Sequence, residues 1–132
     1  MAELLYLDAS ALVKLIVLER ETQALTVELR RWPQRVTSVI GEVELHRAAL
    51  RANEAAMLAD SVLAGVSLIA LSESRRELAD RVGSQRLRAL DAIHLASALS
   101  LGDEIGAFCT YDRRLAADAV AAGLNVLSPG LD

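Results

Sequence analysis

The feature that most constrains the fold is the alternation of short apolar segments with longer helix-forming segments along the chain. Apolar segments with the length of strands occupy residues 4–7, 35–38, 66–71, 107–110 and 125–127. Helix formers dominate residues 9–18, 20–31, 39–52, 54–64, 73–82, 87–101 and 113–122. This alternation predicts a parallel sheet with helices on both faces. We therefore expect a three-layer α/β/α fold, with a central parallel sheet of about five strands, formed by residues 1–132 as a single domain.

Residues 66–71 are almost continuously apolar, which predicts a strand covered on both faces. Gly102 and Gly123 each follow a predicted helix, at the position where a left-handed residue commonly ends one.

Composition narrows the class of protein. A hydrophobic content of 53% excludes a disordered chain, and a net charge of −4 argues against a protein that coats nucleic acid. The single cysteine, Cys109, excludes an internal disulfide and is typical of a reducing compartment. The first residues do not form a secretion signal, and no apolar run reaches the ~20 residues of a membrane helix. We therefore expect a cytoplasmic protein that does not contact membranes.

Two aspartates stand just beyond predicted strands. Asp8 directly follows the first strand, and Asp112 comes two residues after the fourth. Ligands of doubly wound sheets bind beyond the carboxyl ends of the strands, so both carboxylates stand where a site is expected. Each aspartate can equally well cap the helix that follows it, and this alternative stays open.

Asp91 stands within a helical segment that is otherwise almost entirely apolar or small. A carboxylate in such a helix requires a cation, a set of hydrogen-bond donors or a metal ion, because its desolvation is costly. The structural alternative is a pairing with His94, three residues further on. His94 itself is typical of a core histidine rather than a ligand.

Glu42 and Glu44 lie on the helix predicted after the second strand. Glu42 falls in or near the first turn, where the helix dipole favours a carboxylate. Glu44 shares a helix face with Arg47 and Arg51. That face is either a solvated ion-pair surface or a ligand flanked by arginines that bind phosphate.

Taken together, the separated carboxylates Asp8, Glu44, Asp91 and Asp112 indicate a site for a hard divalent cation, Mg²⁺ or Mn²⁺. Such an ion can activate water and neutralise developing charge on a phosphate, which indicates phosphodiester hydrolysis. Two histidines and one cysteine cannot form a conventional zinc site. Glycine-rich phosphate-binding motifs and the nucleophile elbow are absent from the sequence.

These segments resemble the PIN-domain family and, within it, the VapC-type ribonuclease toxins of bacterial toxin–antitoxin pairs. The resemblance lies in residues 5–14 (LYLDASALVK), the spacing from Ser38 to Glu44, residues 90–96 (LDAIHLA) and residues 110–115 (TYDRRL). It places the family's acidic quartet on Asp8, Glu44, Asp91 and Asp112. Ser10 and Thr110 match small hydroxyl positions beside that quartet.

The resemblance implies a PIN fold whose first and fourth strands are neighbours. It also implies an endoribonuclease dependent on Mg²⁺ or Mn²⁺, a homodimer and an antitoxin protein that blocks the substrate groove. Candidate contacts to RNA phosphates are Arg47, Arg51, Arg113 and Arg114. The alternatives are a catalytically inactive scaffold and a receiver-type phosphoacceptor domain. The receiver is disfavoured because no aspartate follows the third strand and Lys14 is the only lysine.

Overall fold

The computed structural model describes residues 2–131. Its strands are β1 (Leu4–Leu7), β2 (Gln34–Ser38), β3 (Ser67–Ile69), β4 (Ile105–Cys109) and β5 (Val126–Leu127). They form one sheet in the order β3-β2-β1-β4-β5, and every neighbouring pair is parallel. The expected parallel sheet is confirmed, and β1 and β4 are neighbours as the family resemblance implies. The strand order reverses between them, so their carboxyl ends form the switch point of the sheet.

The described helices are shorter than the sequence predicts. They are α1 (Ala9–Val13), α2 (Thr22–Leu29), α3 (Val39–Arg51), α4 (Ala56–Leu63), α5 (Glu73–Ala79), α6 (Ala89–Leu99) and α7 (Arg113–Ala121). The prediction that the first helix continues to residue 18 is wrong. Beyond its end, the Thr22 hydroxyl donates to the Lys14 carbonyl oxygen, which therefore needs no helical partner. None of the helices within residues 2–131 is long and apolar enough to cross a bilayer.

Alternate residues of β1 point to opposite faces of the sheet and so belong to two cores. Leu5 and Leu7 pack with Leu12, Leu25 and Leu45 from the helices before β3. On the other face, buried residues of four strands pack against Leu95 of α6 and Leu115 of α7. The strand residues are Tyr6, Val36, Ile69 and Phe108. The predicted α/β/α layering is thus confirmed.

The third strand differs from its prediction. β3 pairs only with β2 and forms one edge of the sheet. Ile69 is buried, but Ser67 and Leu68 are exposed, so the prediction of a strand covered on both faces is wrong. A continuous apolar run predicts a strand but carries no information on its place in the sheet.

Gly106 on β4 gives a test of the packing beneath the sheet. A Cβ there would collide with the carbonyl oxygen of Ala2 and lie 2.5 Å from the Trp32 ring. We expect Gly106→Ala to lower the free energy of unfolding by roughly 1–3 kcal/mol, measured by urea denaturation. At the control position Gly65, the nearest atom to an added Cβ is the Val62 carbonyl oxygen, 3.9 Å away. Equal stabilities of Gly106→Ala and Gly65→Ala would contradict this packing.

Candidate active site

Asp8 lies at the carboxyl end of β1 and is almost fully buried. Its Oδ1 accepts hydrogen bonds from the Ala11 amide (2.9 Å) and the Ser10 hydroxyl (2.7 Å). Its Oδ2 accepts one from the Thr110 hydroxyl, 2.5 Å away. Thr110 reaches Asp8 because β4 pairs beside β1. Burial nevertheless raises the pKa of Asp8, and these donors and nearby His94 only partly oppose that effect.

Asp112 stands three residues after the end of β4 and caps α7, whereas the strand register places Thr110 opposite Asp8. Its Oδ1 accepts from the amides of Arg114 (2.9 Å) and Leu115 (3.1 Å). Asp8 likewise caps α1. The capping interpretation is therefore right for both aspartates. It does not exclude a ligand role, because a carboxylate has two oxygens and about four lone-pair directions.

Asp91 lies in the first turn of α6, which begins at Ala89 and not at residue 87 as predicted. Asp91 and Asp112 together line a groove of about 320 Å³. Burial raises the pKa of Asp91, and the charges of Asp112, Asp8 and Glu44 raise it further, against the opposing effect of His94. Asp8, Glu44 and Asp112 are thus each within electrostatic range of Asp91.

The walls of this groove include the predicted Arg113 and Arg114. They also include Arg86 and Arg88, which the sequence analysis missed. The signal available for these two was their position just before the helix that carries Asp91.

Glu44 projects from α3 into a second groove, of about 640 Å³. Ser10, Arg47 and Arg51 line the same groove, so the predicted helix face is confirmed. Glu44 Oε1 lies 2.6 Å from Nε2 of the buried His94. Glu44 therefore connects the acidic cluster to the interior of the protein.

His94 does not take the partner that the sequence suggests. Its Nδ1 lies 2.7 Å from the Tyr6 hydroxyl, and its Nε2 bonds to Glu44. The structural alternative of a pairing with Asp91 is therefore wrong, since both ring nitrogens are engaged by residues far away in the chain. The prediction that His94 is a buried core histidine is confirmed.

The chemistry of the donor set fits a hard divalent cation. Within residues 2–131, Asp8, Asp91 and Asp112 form no salt bridge with Lys or Arg. As the described side chains stand, no three His, Cys, Asp or Glu residues are close enough together to hold a metal ion. Carboxylate oxygens are nevertheless the ligands that Mg²⁺ and Mn²⁺ prefer, and these side chains would have to move closer together to hold an ion.

The raised pKa of Asp91 gives a prediction for the metal-free protein. Above its folded-state pKa, the ionised carboxylate destabilises the fold, and asparagine does not. As the pH falls through that pKa, the wild type takes up a proton and the penalty disappears. We expect metal-free Asp91→Asn to be more stable than wild type at neutral pH, and the difference to narrow as the pH falls through the folded-state pKa of Asp91. Urea denaturation from neutral to acidic pH measures it, with Asp103→Asn as control. A difference independent of pH would contradict the assignment.

The fold and site define an α/β domain with an acidic cluster at the switch point of its sheet. The family model described as "PIN domain" matches residues 5–121. The chain is 41% identical over 126 residues to Ribonuclease VapC46 of Mycobacterium tuberculosis (strain H37Rv), covering 95% of this chain and 97% of the relative. It is 38% identical to Ribonuclease VapC47 of Mycobacterium tuberculosis (strain CDC 1551), covering 96% and 98% of the two chains. The chain therefore belongs to the PIN-domain family.

Solved structures show the same fold. A chain of a toxin-antitoxin complex from Klebsiella pneumoniae superimposes with a TM-score of 0.69 at 22% identity, covering 94% of this chain and 96% of that chain. Mycobacterium tuberculosis VapC20, described as a sarcin-ricin loop cleaving toxin, gives a TM-score of 0.72 at 18% identity, covering 95% and 99%.

Proposed function

We propose that this chain is the endoribonuclease toxin of a toxin–antitoxin pair, and that it requires Mg²⁺ or Mn²⁺. The observation that carries the proposal is the placement of Asp8 at the carboxyl end of β1 and of Asp91 and Asp112 along one groove, none of them salt-bridged to Lys or Arg among residues 2–131. The names of the relatives and of the similar structures support RNA as the substrate and an antitoxin as the partner.

In this proposal, Asp8, Asp91, Asp112 and Glu44 hold the cation. When bound, a divalent cation lowers the pKa of water and neutralises negative charge on the phosphate. Ser10 and Thr110 orient Asp8 through their hydroxyl groups. The role of Asp112 depends on the oxygen that the helix cap leaves free.

Arginines lie on both sides of the acidic cluster and supply the attraction for RNA that the net charge of −4 does not. Arg47 and Arg51 line the groove beside Glu44. The groove beside Asp91 and Asp112 is lined by Arg86, Arg88, Arg113 and Arg114. We assign these side chains to phosphates of a strand that crosses the cluster, because guanidinium forks suit phosphate oxygens.

Replacing two of these arginines should weaken RNA binding and make it less sensitive to salt, because two phosphate contacts are lost. Each phosphate contact contributes about −0.7 to the slope of log K against log salt for a single strand. Arg88→Ala with Arg113→Ala should therefore make the slope shallower by about 1.4. The measurement is fluorescence anisotropy of labelled RNA in EDTA over a range of KCl. Arg31→Ala is the control, since Arg31 lies in a pocket beside the amino end of β2. An unchanged slope in the double variant would remove these arginines from the RNA path.

The remaining parts of the proposal concern partners and location. Large apolar side chains are exposed at Leu18, Leu50 and Met57, and Val43 and Leu90 line the groove beside Glu44. Exposed apolar surface favours partner contacts. We assign this surface to a homodimer interface and to the binding of the antitoxin. We further propose that residues 1–132 form one domain and that the protein is cytoplasmic.

The experiment that tests the proposal is cleavage of a mixed RNA pool by purified, antitoxin-free protein. Mn²⁺ or Mg²⁺ should produce discrete fragments, and EDTA should abolish them. Cleavage that survives EDTA would contradict the metal requirement. Absence of both cleavage and Mn²⁺ binding would favour the inactive scaffold.

A further inference from the structure

We propose that His94 is a positioning residue that fixes the carboxylate of Glu44 through a chain of hydrogen bonds from Tyr6 to His94 to Glu44. The inference rests on the proposed function, in which Glu44 is a metal ligand. Tyr6 Oη lies 2.7 Å from His94 Nδ1, and His94 Nε2 lies 2.6 Å from Glu44 Oε1. A single imidazole thus joins the core beneath the sheet to the acidic cluster.

The residues at the two ends of this chain of hydrogen bonds differ in their exposure to solvent. Tyr6 and His94 are buried at 0% and 1% exposure, whereas the Glu44 side chain is 26% exposed. The Tyr6 ring is further held by stacking on Phe108, with centroids 5.3 Å apart. Rotation of His94 would leave buried polar atoms without partners, which proteins avoid. The ring is therefore rigid, and it immobilises the more exposed glutamate.

The direction of the hydrogen bonds follows from the chemistry of the three groups. A carboxylate only accepts, so the proton between His94 and Glu44 belongs to Nε2. A neutral imidazole has one N–H, so Nδ1 accepts and the Tyr6 hydroxyl donates. The Tyr6 hydroxyl, 2.7 Å from Nδ1, carries the proton that Nδ1 accepts. Glu44 thereby sets the tautomer of His94, and the Tyr6 hydroxyl supplies the partner that Nδ1 needs.

Gly41 provides an observation independent of these hydrogen bonds. It lies one turn before Glu44 on α3, and a Cβ there would collide with Thr37 Oγ1 and lie 3.3 Å from His94 Cε1. The missing side chain lets this turn of α3 lie directly against the imidazole. Gly41 therefore allows α3 to pack closely against both His94 and Thr37 of β2.

The arrangement has a consequence for metal binding. His94 occupies Oε1 of Glu44, which leaves Oε2 to bind a cation or one of its waters. Hydrogen-bond partners of metal ligands orient them, and loss of such a partner typically lowers metal affinity or activity by about 10- to 100-fold.

The test compares Mn²⁺ affinities by electron paramagnetic resonance of the free ion, in wild type, His94→Phe, His94→Gln and Glu44→Gln. We expect His94→Phe to bind Mn²⁺ about 10- to 100-fold more weakly. His94→Gln should recover most of that affinity, because its amide can donate to Glu44 as Nε2 does. His46→Gln is the control for loss of a histidine, since His46 bonds to Asp60 and the Glu42 carbonyl oxygen.

A spectroscopic readout covers the case in which His94→Phe does not fold. The chain has two histidines, so long-range ¹⁵N–¹H spectra of the imidazoles are simple to assign. Wild type should carry a proton on His94 Nε2, the nitrogen that faces Glu44. A wild-type spectrum without a proton on Nε2 would overturn the inference.

The two proposals fail in different ways. Equal Mn²⁺ affinities of wild type and folded His94→Phe, with weaker binding by Glu44→Gln, would overturn the role of His94 and leave the metal site standing. A wild type that binds no Mn²⁺ would overturn the metal site itself, and the positioning role with it.

Discussion

Replacing Asp8 with asparagine should lower Mn²⁺-dependent RNA cleavage by about 1,000-fold or more, because the site loses its most buried carboxylate ligand. A loss of this size corresponds to about 4 kcal/mol of transition-state stabilisation, within the range that a metal ion supplies. Asparagine keeps the shape of the side chain and the oxygen that caps α1. Cleavage of a defined RNA, followed over time, measures the effect.

The fold should survive this substitution. The Thr110 hydroxyl now donates to Asp8 Oδ2, and it can rotate to accept from the new amide instead. The substitution also removes the energetic cost of burying a charge, which is the cost that raises the pKa of Asp8. Asp103→Asn is the matched control, since Asp103 is exposed before the amino end of β4. A folded Asp8→Asn protein that cleaves within tenfold of wild type would refute the role of Asp8.

Mn²⁺ should raise the free energy of unfolding of the wild type by about 2.7 kcal/mol at 100 times its dissociation constant. In the proposed site the ion binds the folded chain at Asp8, Asp91 and Asp112, where it offsets the burial and the like charges that raise the pKa of Asp91. Urea denaturation with Mn²⁺ and with EDTA, at constant ionic strength, measures the difference.

Asp8→Asn and Asp91→Asn should lose most of this stabilisation, whereas Asp103→Asn should keep it. If Mn²⁺ stabilised all four proteins equally, its binding site would lie away from the switch point. If it stabilised none of them, the carboxylates would not form a metal site under these conditions.

The elements of the fold were predictable from local pattern, but their arrangement was not. Apolar runs locate β1 and β4, and the strand-end rule selects Asp8 and Asp112. Periodicity does not reveal that β1 and β4 are neighbours, which here came from the family resemblance. That adjacency brings Thr110 to Asp8, 102 positions away in the sequence.

Contacts between distant side chains set the other limit on sequence prediction. The one partner that the sequence offered for His94 was Asp91, as an alternative, because residues three apart on a helix are neighbours. Its actual partners, Tyr6 and Glu44, are 88 and 50 positions away. Arg86 and Arg88 were missed for a related reason, since the loop that carries them meets α7 only in the folded chain. The Ser84 amide donates to Asp118 Oδ1 on α7, which anchors this loop beside the groove.

The most direct test of the metal site is the position of bound Mn²⁺ in crystals of the protein, determined from its anomalous scattering. The account predicts a peak bonded to carboxylate oxygens of Asp8, Asp91 and Asp112, and absent from Asp8→Asn crystals grown with the same Mn²⁺ concentration. A peak bonded to other residues, in protein whose RNA cleavage requires Mn²⁺, would contradict it.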